Sequence, residues 1–200
     1  GAAGATLVLT GSAEATLETA VATIAGAHYR VHDMRDADAA PALIAGIEQV
    51  IGPIDMLVNN GGVHLKQPAW EVEISAWRNI IDINLSGRFA LTRAALPGMI
   101  ARGAGSIINV SSIEGLRGYP ADPIYAAFKA AVVHFTRSLA VQVGHQGVRV
   151  NGIGPDITEA LQVPYDQWIP PEQRHLWPMW APIGRMGVGA DQARVLLFLA

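Results

Sequence analysis

The sequence predicts an α/β protein in three layers, a doubly wound parallel sheet with helices on both faces. Three observations carry this. Short apolar runs rich in β-branched residues alternate with longer helical patterns along the chain, and that alternation is what parallel strands joined by crossover helices require. The runs are near-continuous rather than alternating, as in "SIINV", which suits strands covered on both faces. Polar residues gather where the runs end, at Asp33, Asn59, Asn60, Ser111 and Ser112, and such sheets bind ligands beyond the carboxyl ends of their strands.

Taken in order, "ATLVLT" (5–10) reads as a buried strand, followed by a helix over 13–25. "HYRVHD" (28–33) is a second strand, and the following segment supplies a helix to about residue 50. "IDMLVNN" (54–60) is a third strand. A helical region covers 73–102, with a break near 85–87. "GSIINVSS" (105–112) is a fourth strand. Asp122 is placed to cap a helix whose first position is Pro123, and that helix extends to about residue 143. "VRVNGIG" (148–154) is a fifth strand. Residues 155–187 are rich in Pro and carry Trp168, Trp177 and Trp180; an irregular stretch of that length reads as a substrate-binding loop or lid, or as a packed surface excursion. An amphipathic helix over 190–200 closes the chain. Residues 1–200 are read as one domain.

Composition narrows the function. Half of the 200 residues are hydrophobic and 16% are charged, enough for a sizeable core and against disorder. The net charge is −3 with no basic run, so nucleic acid and anionic membranes are poor partners. No apolar run approaches the roughly 18 residues of a membrane span, and no signal peptide opens the chain. The absence of cysteine rules out disulfides and thiolate chemistry and suits a reducing cytoplasm. The six histidines, at 28, 32, 64, 134, 145 and 175, form no metal-ligand pattern; His28 and His32 would stand roughly 13 Å apart in a strand. They are read as structural, and no metal is expected.

Only Lys66 and Lys129 are lysines among the 14 basic residues. In a chain so fond of arginine, a lysine four residues after Tyr125 in "YAAFK" suggests that a compact ammonium is wanted there. The two side chains share one helix face. A free phenol titrates near pH 10, and an adjacent ammonium is expected to lower that value. Ser112 could hydrogen-bond a substrate oxygen, and Asn84 could orient a water. Together these residues make a site for proton exchange at a carbonyl or alcohol carbon.

N-N-G-G (59–62), I-N-L-S-G (83–87), I-N-V-S-S (108–112) and Y-x-x-x-K (125–129), in this order and with Ser112 standing 13 residues before Tyr125, resemble the classical short-chain dehydrogenase/reductase family. "GPIDMLVNNGG" and "GVRVNGIGP" match it too, and the resemblance covers essentially the whole chain. It implies a Rossmann-type fold and NAD(P)-dependent oxidoreduction. Tyr125 would be the catalytic acid/base. Lys129 would lower the tyrosine's pKa and hold the nicotinamide ribose, Ser112 would polarise the substrate carbonyl, and Asn84 would position a relay water. Ser111 fits the spacing less well. Asp33 and Met34 match the adenine-contacting pair, Asn59 and Gly61 the turn beneath the adenosine, and Thr158 the backbone that meets the nicotinamide carboxamide. The hydride would come from the cofactor, since no side chain can supply one.

Three departures from the family pattern follow. The glycine-rich phosphate loop is missing: reading "TLVLTGSAEATL" as first strand and loop puts Ala15 and Leu17 at its later glycines. The better register makes residues 5–10 the family's second strand. The expectation is then an internal slice of a longer polypeptide, lacking the family's first and last strands and leaving two inner sheet edges unpaired; intact-mass spectrometry tests it. Next, Gly61 stands where the family usually has Ala. The end of that second strand reads Thr10-Gly11-Ser12, with neither the acid that NAD-preferring members place at Gly11 nor the arginine that NADP-preferring members place at Ser12; lack of the acid leans to NADP over NAD. Finally, P-G-x-x-x-T reads "PDITEA", so a hydroxyl contact is not carried to Ala160.

The leading expectation is a reductase or dehydrogenase acting on a secondary alcohol/ketone pair. A nucleotide-binding sensor or scaffold without turnover, and an epimerase or dehydratase of the extended relatives, are the alternatives. The three tryptophans of 155–187 suit a bulky apolar small-molecule substrate. Ala126, Ala127, Ala130 and Ala131 would allow close helix packing in a homo-oligomer, and the family is commonly tetrameric.

Overall fold

A computed structural model describes residues 4–118, 120, 122–160, 170–176, 179 and 181–200. Its strands are β1 (Val8–Gly11), β2 (His28–Val31), β3 (Met56–Asn59), β4 (Gly105–Val110) and β5 (Val148–Ile153). Its helices are α1 (Glu14–Ala22), α2 (Ala40–Val50), α3 (Ile74–Ile81), α4 (Gly87–Arg102), α5 (Pro123–Val143) and α6 (Gly189–Leu199). Every strand pair is parallel. The ladders are β1–β2 and β3–β4–β5, with Val8 opposite His28, Met56 opposite Ser106 and Gly105 opposite Val148. Among the described residues no strand bridges β1 and β3. The strands are shorter than the apolar runs, because the ladders fade into single bonds at their ends: His28 N–H donates to Leu7 O and His32 N–H to Gly11 O.

The break expected near 85–87 is a π-helical turn, Asp82–Ser86, between α3 and α4. The turn leads into a closely packed glycine. A Cβ on Gly87 would lie 2.3 Å from the Met34 carbonyl oxygen, so only glycine lets the helix press against the loop after β2. π turns re-aim side chains, and here the turn carries Asn84. α5 starts as its sequence requires. The Asp122 carboxylate accepts from Tyr125 N–H at 3.1 Å, with Pro123 at the first position. Its exit needs a second glycine: Gly147 adopts φ 79°, and a Cβ there would meet the Gly103 carbonyl oxygen at 2.0 Å.

The core lies between α2, α4, α5 and the three-stranded sheet. Ile44, Leu91, Met99, Ile107, Leu139, Val143 and Val148 are its larger members. Ile107 and Ile108 are strand neighbours that point to opposite faces, and both are 0% exposed; both faces of β4 are therefore covered. Burial on this scale stabilises by roughly 1.5–3 kcal/mol per large side chain. A polar ladder crosses the core. Asn59 Nδ2 donates to Asn109 Oδ1 (2.9 Å) and Thr92 Oγ1 (3.0 Å), Asn109 Nδ2 donates to Thr136 Oγ1 (2.9 Å), and Thr136 Oγ1 donates to Val132 O (2.7 Å). It fixes the register of β3 on β4 and ties both to α4 and α5.

The loop 155–187 closes at its neck. Thr158 bridges Gly187, Glu159 N–H donates to Gly187 O at 2.8 Å, and Gly187 N–H to Ile157 O at 3.0 Å. Trp168, Trp177 and Trp180 lie outside the described residues. Among the described residues no helix is long and apolar enough to cross a membrane.

Candidate functional site

Tyr125 and Lys129 project from one face of α5, with the Lys129 Nζ 5.2 Å from the phenol ring centroid. They are 8% and 4% exposed. Lys129 Nζ donates to Val110 O at 2.9 Å, leaving two further N–H groups. Ser112, just past β4, acts on the phenol, lowering its pKa against the pull of burial, and accepts from Glu114 N–H at 3.2 Å, which caps a short 3₁₀ turn, Ile113–Gly115. Ser111 donates instead to Lys129 O at 2.8 Å. The two adjacent serines thus divide, Ser111 holding the helix and Ser112 acting on the tyrosine.

Asn84 is fully buried, and its amide is engaged with the loop after β3: Nδ2 donates to Val63 O at 2.8 Å and Oδ1 accepts from Val63 N–H at 2.9 Å. The asparagine pins that loop. The next residue in the loop is His64, whose ring stacks on Tyr125 with centroids 4.0 Å apart. Sequence reading set His64 aside as structural; its position two residues after N-N-G-G was the available signal.

Arg88 was also missed. It lies in α4 one position after Gly87 and is buried. Its Nη1 donates to Asn59 O (2.7 Å) and Val110 O (2.9 Å), and its Nη2 to Gly61 O and more distantly to Asn60 O (3.4 Å). Among the described residues no carboxylate pairs with it. Burial brings its pKa down to about 10, which keeps it charged at neutral pH. The guanidinium gathers the carbonyl ends of β3 and β4 under one cation and shares Val110 O with Lys129.

This environment overturns one expectation. The phenol is not acidified: burial pushes Tyr125 up to about 12, Glu114 and Asp122 add to the rise, and the Ser112 hydrogen bond and Arg88 only partly offset it. Lys129 is itself drawn down to about 7 by burial and by Arg88. A half-neutral amine is a weak acidifier, so at neutral pH the tyrosine keeps its proton.

The residues matched to the adenine end gather where β1 and β2 finish. Gly11 ends β1, Ser12 is exposed, and Gly11 O accepts from His32. His32 is buried with no partner for Nε2. The Asp33 carboxylate takes a two-pronged bond from Arg35, accepts Arg35 N–H at 2.9 Å, and is held down at about 2 by it. Met34 packs on Gly87, with its Cγ 3.9 Å from where a Cβ on Gly61 would be. Asn59 is buried in the polar ladder, with its Oδ1 unpartnered. The Thr158 hydroxyl is engaged in its own loop, donating to Asp156 O at 2.9 Å and accepting from Gln192 Nε2 at 3.3 Å. Ser112, Tyr125 and Lys129 therefore lie together, Asn84 reaches them only through the loop that carries His64, Gly11, Ser12 and Asp33 gather at the other sheet, and Met34, Gly61 and Gly87 lie between.

A nicotinamide dinucleotide fits the two ends of this arrangement. The spare N–H groups of Lys129 and the phenol suit ribose hydroxyls, and the orphaned His32 Nε2 beside Asp33 suits a purine edge. No glycine-rich phosphate cradle occurs among the 200 residues. No group of three or more potential metal ligands occurs among the described residues.

Comparison with known proteins gives the same direction. Residues 1–164 match the model of the short chain dehydrogenase family. The chain is 36% identical over 201 aligned residues to an inactive 2-(S)-hydroxypropyl-CoM dehydrogenase of Xanthobacter autotrophicus, covering 98% of this chain and 87% of that protein. It is 32% identical to a 3-oxoacyl-acyl-carrier-protein reductase of Thermotoga maritima, covering 98% and 80%. Among solved structures, a gluconate 5-dehydrogenase of Burkholderia cenocepacia in complex with NADP and tartrate superposes with a TM-score of 0.89 at 28% identity, over 100% of this chain and 79% of that one.

Proposed function

This chain belongs to the short-chain dehydrogenase family, and from that premise we propose that it is an NAD(P)-dependent oxidoreductase that interconverts a secondary alcohol and a ketone, with Tyr125 as acid/base. The observation that carries the reading is the convergence of Ser112 and Lys129 on one buried phenol. When bound, the nicotinamide would exchange a hydride with the substrate carbon. The chain's own residues do the rest. Ser112 donates a hydrogen bond to the substrate oxygen. Tyr125, protonated at neutral pH because its pKa stands at about 12, hands a proton to the oxygen as charge develops on it. Lys129 holds ribose hydroxyls with the N–H groups that Val110 leaves over. Asn84 keeps the loop after β3 closed against the site. Asp33, Met34, Gly11 and Ser12 would hold the adenine end, with Thr158 near the carboxamide.

A phenol kept protonated favours the reductive direction at neutral pH; alcohol oxidation would rise with pH as the phenolate forms. The lack of an acid at Gly11 favours NADP over NAD. Exposed Phe89, stacked edge-on against Phe135 between α4 and α5, gives the small-residue helix α5 an apolar neighbour for a homo-oligomer contact. A screen of ketones with NADH and NADPH tests the reading directly. Nucleotide oxidation that depends on a ketone and disappears in Tyr125→Phe is the expected result. Nucleotide binding with no turnover on any ketone would favour a sensor instead, a reading given weight by the relative named as inactive.

A further inference from the structure

The loop after β3 carries a histidine that the acid/base step leaves unassigned. Residues 63–65 are fixed at two points. Asn84 holds Val63 through both of its backbone groups, and Asp122 Oδ2 accepts Leu65 N–H at 3.2 Å. Between these points the His64 imidazole lies on the Tyr125 ring, 4.0 Å between centroids and 22° between planes, with Nδ1 3.5 Å from Asp122 Oδ2. Asp122 is 1% exposed and is held from its other side by Tyr125 N–H. One buried carboxylate thus caps the helix that carries the tyrosine, ties down the loop that carries the histidine, and orients the imidazole.

We propose that His64 is a positioning residue for Tyr125: with Asp122 it clamps the phenol ring from one face, fixing the direction of the hydroxyl and closing that face to water. The role rests on reading Tyr125 as the acid/base. Stacked rings at this separation attract each other through their π systems, and a ring laid over a phenol displaces the water that would solvate a phenolate. The clamp is electrically balanced. Asp122 faces the imidazole from the N-cap of α5, Lys66 acts on it from the same loop and Lys129 from within α5, while burial disfavours its charged form. With the imidazole neutral, Nδ1–H points at Asp122 and the second nitrogen is left for the half-exposed edge. Glu114 and Arg88 also act on the phenol, the first raising and the second lowering its pKa.

An ultraviolet titration of the phenolate band, taken as the difference between each protein and its Tyr125→Phe counterpart, tests the clamp without any substrate. In the parent protein Tyr125 should titrate well above a free phenol. His64→Ala should bring the midpoint down by about one pH unit as water reaches the ring, His64→Phe should restore it, and His64→Asn, which keeps a partner for Asp122 but no ring, should follow the alanine variant. In turnover with the best ketone of the screen, His64→Ala should lower kcat by about ten- to a hundredfold with nucleotide KM unchanged, and His64→Phe should recover most of it. An unmoved midpoint in His64→Ala, or a phenylalanine variant no better than alanine, overturns the clamp. If His64→Ala does not fold, the phenylalanine and asparagine variants carry the same comparison. Turnover surviving in Tyr125→Phe would remove the acid/base reading while leaving the titration result intact, so the two failures are distinguishable.

Discussion

The two parallel sheets are written in similar apolar runs and end up in different environments. In β4 and β5, Ile107, Ile108 and Val148 are wholly buried. In β1 and β2 no residue is buried, and α1 buries only Leu17, at 7% exposure. The difference lies in the neighbours: β4 has a strand on each side and helices on each face, while β1 and β2 have each other and α1. It also separates two ways of tuning a charge. In the three-stranded body desolvation dominates, moving Lys129 down and Tyr125 up. At the two-stranded sheet a solvent-facing hydrogen-bonded pair dominates, holding Asp33 down through Arg35. The proton chemistry proposed above would take place where burial does the tuning.

The largest expected effect tests the chemical half of that contrast. Tyr125→Phe should lower kcat by about a thousandfold or more while nucleotide binding persists; a loss under tenfold would move the acid/base elsewhere. The packing half is tested by one truncation in each region. Met99→Ala, in the centre of the body, should cost about 3–5 kcal/mol in urea unfolding, and Leu17→Ala only about 1–2 kcal/mol, because the thinner site collapses into solvent. Equal losses would mean that both sheets share a single core.

Lys129 sharpens the same point through pH. Its pKa stands at about 7 in the folded protein against 10.5 when exposed. Between those values the unfolded chain binds more protons, so stability rises with pH across the window and the gain is lost on acidification toward 7. The rise should reach about 3 kcal/mol between pH 7 and about 9.5, and Lys129→Met should flatten it. Tyr125 acts oppositely above pH 10, where the unfolded chain loses its proton first. A parent protein with no slope in this window would mean that water reaches the amine.

Much of this body was legible in the sequence because its signals are local. Asp122-Pro123 wrote the start of α5 to the residue, and Tyr125 and Lys129 met through helical spacing. What was illegible depends on through-space neighbours. Nothing in "INLSGRF" says that Gly87 faces the Met34 carbonyl, that the break is a π turn, or that Arg88 reaches carbonyls on two strands. The sign of the tyrosine's shift was misjudged for the same reason: an adjacent ammonium can be read from spacing, whereas burial and the approach of Glu114 cannot. The clamp of His64 on Tyr125 joins residues from different segments, and His64 carried no periodicity to mark it.

The smallest effect belongs to the exposed sheet. Arg35 and Asp33 are 58% and 35% exposed in their side chains, and exposed ion pairs contribute about 0–1 kcal/mol. Arg35→Ala should therefore change stability by less than about 0.5 kcal/mol. The Asp33 carboxylate would still accept the residue-35 backbone N–H, now at 2.9 Å, a local bond that alanine preserves. Its direction should persist, and nucleotide KM should rise by less than about threefold, whereas Asp33→Ala, which removes the acceptor, should raise KM further. A large KM change in Arg35→Ala with stability intact would mean that the guanidinium itself meets the nucleotide, and that the exposed sheet contributes a charge to binding as well as a shape.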